Sequence, residues 1–224
     1  MKYIKLYENF IEGESLPDID ISSDDKISQY ESKPIILIGP QGTGKSTTAK
    51  ELAKKLGIPL ITTDMCMVDE KYENMFKDEP GVEVEIKRHP TEGLYYESND
   101  KYVFCVLKKL MEEYSNKKIV LDVGATHAYV SDRMASDVIE LFEKSPNLFI
   151  FNVFGDEDKT YEFLKKRREG RGEVTKDEDN KKFRDVINNL NDYYSETQKI
   201  SIINQDKSEK TTKEIVDEIV SKLQ

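Results

Sequence analysis

Gly39-Pro40-Gln41-Gly42-Thr43-Gly44-Lys45-Ser46 decides how this chain is read. It is a complete G-x-x-x-x-G-K-[ST] pattern, and its setting is as informative as its letters. Upstream, Pro34-Ile35-Ile36-Leu37-Ile38 is an apolar run without alternation, as in a strand buried on both faces. Downstream, Ala49, Leu52, Ala53 and Leu56 recur at i, i+3, i+4 and i+7, and Gly57 stops the helix they predict. A glycine-rich turn between strand and helix lets successive backbone N–H groups converge on a phosphate, and the helix dipole adds its positive end. Gly39, Gln41, Gly42, Thr43, Gly44, Lys45, Ser46 and Thr47 are therefore the candidate nucleotide-binding residues. Lys45 is expected to reach the β- and γ-phosphates and Ser46 to ligate Mg²⁺, which makes ATP and Mg²⁺ the expected cofactors.

The rest of the chain repeats the same alternation. Ile58 to Thr62, Ile119 to Val123, Leu148 to Phe154 and Ile200 to Ile203 read as four more strands. Between and after them, Val103 to Met111 (started by Ser98 or Asn99), Val138 to Phe142 (capped by Ser131), Asp158 to Arg168, Phe183 to Tyr194 and Ile215 to Leu223 read as helices. Five alternations of strand and helix predict an α/β sandwich of three layers, a parallel sheet covered on both faces. Residues 1–33 read as an N-terminal arm with an acidic linker, and residues 34–224 as the folded domain. Within that domain, 65–97 reads as an irregular acidic insertion on the acceptor side, and 167–180 as a charged, glycine-containing segment.

Composition narrows the function classes. The 224 residues carry 34 Lys and Arg against 44 Asp and Glu, a net charge of −10, which argues against nucleic acid as a partner. Seven acids against Lys26 alone fall between residues 11 and 32, and nine acids against four bases between 69 and 97. No apolar run approaches the ~20 residues of a membrane span, and the first ten residues lack a secretory signal's apolar stretch. The two cysteines, Cys66 and Cys105, lack metal-ligand spacing. These features lead to the expectation of a cytoplasmic protein.

Three motifs separate the classes of phosphate-loop protein. An N-K-x-D base-reading motif is missing, which sets a GTPase aside. An AAA-type motor would follow its third-strand Asp with Glu, whereas Asp122 is followed by Val123. What remains resembles the shikimate kinases and their gluconate-kinase and nucleoside-monophosphate-kinase relatives. The resemblance is carried by Ile36-Leu37-Ile38-Gly39, the loop, Ser46-Thr47, Leu52-Ala53 and Leu56-Gly57-Ile58-Pro59-Leu60-Ile61-Thr62-Thr63-Asp64. It implies a five-stranded parallel sheet in the order 2-3-1-4-5, a mobile lid over 167–180, and transfer of the ATP γ-phosphate to a small-molecule acceptor, with a nucleoside or nucleotide the leading variant for this chain.

The resemblance also assigns residues. Asp64 matches the second Asp of a D-x-D that meets the acceptor hydroxyl, with Thr62 in place of the first. A carboxylate there orients or deprotonates the acceptor; the plainer reading is a cap on the next turn. Asp122 ends Ile119-Val120-Leu121-Asp122, a Walker B shape suited to holding Mg²⁺ through water. Arg171 matches the lid arginine best and Arg167 second, the role being to stabilise a transferring phosphoryl group. Gly124 keeps the first of three family glycines. Two departures argue against shikimate itself: Tyr95-Tyr96-Glu97 replaces the family's Phe-Arg pair, and no Arg follows Arg184 in Leu190-Asn191-Asp192-Tyr193-Tyr194. His127 either faces the pocket or sits in a loop, and Cys66 reads as pocket wall or core. Two alternatives to a small-molecule kinase stay open: a kinase of a polynucleotide end or other macromolecule, and a nucleotide-binding regulator without transfer activity.

Overall fold

The computed structural model describes residues 33–89, 93–128, 132–153, 156–170, 177–194, 197–205 and 208–223. The arm call over 1–33 lies, Lys33 apart, outside the described residues, as does Arg171 in the lid. In chain order the first elements are β1 (Ile35–Ile38), α1 (Lys45–Leu56), β2 (Leu60–Thr62), α2 (Thr63–Met67) and α3 (Glu70–Phe76). Next come β3 (Val84–His89), β4 (Gly93–Ser98), α4 (Asp100–Tyr114), β5 (Val120–Asp122) and α5 (Asp132–Glu143). The last are β6 (Leu148–Asn152), α6 (Glu157–Glu169), α7 (Asp177–Tyr193), β7 (Gln198–Ser201) and α8 (Thr212–Ser221).

Five strands pair in parallel in the order β2-β5-β1-β6-β7. Counted in chain order within that sheet, this is the expected 2-3-1-4-5. The central strand shows why the apolar run carried no alternation. Ile35 and Leu37 pack into one core with α1, α6 and α8, while Ile36 and Ile38 pack into the other with α4 and α5. All four are fully buried, and each contributes roughly 1.5–3 kcal/mol of burial. Helix α7 serves both layers, through Phe183 and Ile187 on one side and Val186 and Leu190 on the other. No helix among the described residues is long and apolar enough to cross a membrane.

The 65–97 segment corrects the expectation of an irregular insertion. It folds into two short helices and an antiparallel hairpin, β3 with β4, registered from Val84 opposite Ser98 to His89 opposite Gly93. Asn99 fastens the base of that hairpin. Its side-chain oxygen accepts from the N–H of Tyr102 at 3.2 Å, capping α4, and from that of Glu83 at 3.3 Å. Its amide nitrogen donates to the Gly81 carbonyl at 2.9 Å. Of the 167–180 segment expected as a lid, residues 167–169 belong to α6 and 177–180 to α7.

Helix α8 opens with a capping box in which Thr211 and Glu214 satisfy each other's backbone N–H groups. Further along it, Glu218 accepts from Lys210 and Lys222, each at 2.7 Å. Burial alone would raise the Glu218 carboxyl, but the two lysines outweigh it and hold it below its ordinary 4.5. A depressed folded value stabilises above the unfolded value and is lost as pH falls through the folded one. Glu218→Gln is therefore expected to cost about 1 kcal/mol at pH 7. Urea unfolding across pH should show the gap to the parent closing as pH drops below 4.5.

Candidate active site

The site lies at the carboxyl edge of the sheet, where open parallel sheets bind ligands. Leu37 and Thr62 both pair with Asp122, so β1, β5 and β2 end level with one another. The phosphate loop leaves β1, Asp122 ends β5, and Asp64 follows β2 by two residues. The phosphate loop, Asp64 and Asp122, separated by up to 83 positions in sequence, thus meet along one edge.

Within the loop, Gly42 and Gly44 take left-handed backbone (φ 94 and 86) that other residues adopt only under strain. Gly44 is the residue from which α1 starts, and a side chain built there would meet nothing within 4 Å. The glycine serves the turn and leaves open space before the helix. Thr43 is buried and donates to the Pro40 carbonyl at 2.9 Å, bracing the loop from inside. Gln41, Ser46 and Thr47 are exposed. Lys45 is buried and its ammonium is bonded to Asp122, also buried. An open turn at a helix start, one lysine, one hydroxyl and one carboxylate form a donor set that fits nucleotide phosphates with a hard divalent cation. Lys45 and the loop N–H groups would hold the phosphates, and Ser46 and Asp122 the Mg²⁺.

Asp64 stands in the first turn of α2 with its carboxylate half exposed. Around it is a buried polar cluster. Thr63 Oγ1 lies 2.7 Å from His127 Nδ1 and accepts the Gly124 N–H at 2.8 Å. His127 Nδ1 is also 3.5 Å from Asp64 Oδ1. Thr63 and His127 are 0% and 2% exposed, and His127, in the turn after β5, directs its ring at Thr63 and Asp64. Gly124 has a steric reason to be glycine: a Cβ there would sit 2.5 Å from both Asp64 Oδ1 and His127 Nδ1. The other end of α2 is pinned by Tyr102, which donates to the Met67 carbonyl at 3.2 Å. Cys66, also on α2, has its thiol pushed up to about 12, chiefly by burial and then by Asp69. It stays a thiol at neutral pH and carries no nucleophile.

The lid arginines divide. Arg167 lies over the Phe163 ring and pairs with Glu209 at 3.6 Å. Arg168, which sequence reasoning passed over, stacks on Phe183 and lays its stem by the loop, its Cγ 4.0 Å from where a Gly42 Cβ would be. Leu164 touches the same point at 3.6 Å. The signal was available in the helix period, since 164 and 168 are i and i+4 and share a face. Thr63 had no such signal, because its partners lie some sixty positions away.

The sequence model of the ATPase family associated with various cellular activities (AAA) matches residues 35–148, half of the chain, spanning β1, the loop and β5. The chain belongs to that family. The AAA core it shares is the phosphate loop and its surrounding strands, while Val123 still occupies the position where the sequence analysis looked for a motor's Glu. Val123 at that position therefore does not exclude the AAA family, which corrects the use made of it in the sequence analysis. Among solved structures, shikimate kinase from Acinetobacter baumannii superposes with a TM-score of 0.54 at 16% identity, covering 88% of this chain and 95% of that one. This AAA chain has the shikimate kinase fold. A tRNA dimethylallyltransferase of Mycoplasmoides gallisepticum is 28% identical over 58% of this chain and 46% of its own length. An adenylate kinase of Mycobacterium leprae is 28% identical over 73% of this chain and 81% of its own. The chain thus spans about half the length of the first of these curated relatives.

Proposed function

We propose that the protein is an ATP- and Mg²⁺-dependent phosphotransferase acting on a small-molecule hydroxyl or phosphate, with a nucleoside or nucleotide as the leading acceptor. The observation that carries this reading is the level alignment of three strand ends. It sets a phosphate cradle with Lys45 and Asp122 beside a half-exposed carboxylate, Asp64, backed by its own polar cluster. ATP and Mg²⁺ supply an activated phosphoryl group when bound. Lys45 and the loop then hold the phosphates, Asp64 orients the acceptor and takes its proton, and arginines of the lid, Arg171 or Arg167, balance the charge that spreads over the phosphoryl oxygens. Residues 65–97 cover the acceptor side. The adenylate kinase relative and the shikimate kinase fold support the same class.

The test is a transfer screen with labelled ATP, Mg²⁺ and pooled nucleosides, nucleotides, sugars and shikimate. Asp64→Asn is expected to lower transfer about 10²-fold while nucleotide affinity, measured by calorimetry, changes less than twofold. Transfer that survives Asp64→Asn would remove the carboxylate from the reaction. A second reading is favoured by the dimethylallyltransferase relative: the cradle would hold the phosphates of an alkyl donor, and the acceptor would be RNA. In that case the screen yields no ADP from any pool, and a labelled dimethylallyl donor loses its alkyl group to RNA. The net charge of −10 weighs against it. ATP bound tightly without turnover in either assay would point to a regulator.

A further inference from the structure

The cluster behind Asp64 contains a buried imidazole that binding of a phosphate does not require. His127 is 2% exposed, and its Nδ1 faces two oxygens, Thr63 Oγ1 at 2.7 Å and Asp64 Oδ1 at 3.5 Å. One lone pair of Thr63 Oγ1 is taken by the Gly124 N–H at 2.8 Å; toward Nδ1 the hydroxyl either donates its hydrogen or turns it elsewhere and accepts, according to the tautomer. A bare lone pair on Nδ1 would point at a carboxylate oxygen, a repulsive arrangement in a buried site. The two groups can converge only because position 124 lacks a Cβ.

We propose that His127 is a positioning residue for Asp64: a proton on Nδ1, seated between Thr63 Oγ1 and Asp64 Oδ1, fixes that carboxylate oxygen and with it the orientation of the carboxylate. This rests on the reading of Asp64 as the acceptor-side carboxylate. Thr63 is the anchor of the device, since it ties the imidazole to the backbone at the end of β5. Residues that orient a reacting group from behind commonly control it 10- to 100-fold, about what is expected here.

The chain has two histidines, His89 and His127, so the imidazoles of the full-length protein are resolvable by ¹⁵N NMR, with His89→Gln giving the assignment. The expected spectrum shows a protonated Nδ1 on His127. In Asp64→Asn the His127 Nδ1 resonance should shift, because the facing carboxylate oxygen is replaced by an amide. A bare Nδ1 in the parent protein, or an Nδ1 resonance unmoved by Asp64→Asn, overturns the proposal. With an acceptor in hand, His127→Leu should lower kcat about 30-fold and leave the KM for ATP within twofold. His127→Asn, whose amide nitrogen falls near the place of Nδ1, should restore most of kcat, whereas His127→Gln should not. Equal loss in Leu and Asn variants overturns it as well. If no acceptor is found, the function reading fails on its own, and the NMR arm still decides whether His127 and Asp64 are coupled.

Discussion

Lys45→Ala is expected to abolish phosphoryl transfer, a loss of about 10³-fold or more, since it removes the one cation of the phosphate loop. The same substitution has a second effect that must be separated from the first. The Lys45 ammonium neutralises Asp122, and both groups are buried. Removing one partner of such a pair strands the other, at a cost of about 3 kcal/mol or more. The variant should therefore be less stable as well as inactive. Lys45→Ala with Asp122→Ala should recover most of the lost stability, because no orphan charge remains, yet recover no transfer. Thermal unfolding of the three proteins beside the transfer assay reads both quantities. Partial transfer in the single variant, or a double variant no more stable than the single one, would contradict the role given to this pair.

Gly124→Ala is the second large effect. Its Cβ would lie 2.5 Å from Asp64 Oδ1 and from His127 Nδ1, closer than any carbon is tolerated. The imidazole is buried and bonded to Thr63, so the half-exposed Asp64 carboxylate is the group that must turn away from its present place. The expected outcome is overpacking worth about 3 kcal/mol together with transfer reduced about 10²- to 10³-fold, at least as severe as Asp64→Asn. Nucleotide affinity should be spared, since the phosphate loop is built from β1 and α1. Urea unfolding and calorimetric titration with ADP separate the two. A Gly124→Ala protein that transfers normally would show that Asp64 and His127 do not need their present approach.

The division between what the sequence revealed and what it concealed follows the range of the interactions. The phosphate loop was legible because all its determinants are local: glycines for two left-handed residues, a strand before and a helix after. The number of strands came from counting alternations, and their order from the family resemblance alone. Asn99 was legible as a helix start because a cap acts within three residues. The 65–97 segment was misread as irregular for a physical reason. Helices of five and seven residues are too short to display a 3.6-residue period. The hairpin strands pair only with each other, outside the main sheet, so no run of apolar residues announces them. Thr63 was hidden more deeply. Beside a strand end it looks like any β-branched residue, and its hydroxyl acquires a purpose only when β5 brings Gly124 and His127 alongside.

Asn99 adds a clamp between the hairpin and the helix that follows it. Its side chain caps α4 and at the same time bonds Gly81 and Glu83, where the chain approaches the hairpin. Its own N–H donates to the Glu83 carbonyl at 3.0 Å. Lifting the hairpin off the domain therefore uncaps the helix behind it. The two form one cooperative opening unit, whose amides at Glu83 and Tyr102 should exchange with solvent deuterium at a common rate and accelerate together when the clamp is cut.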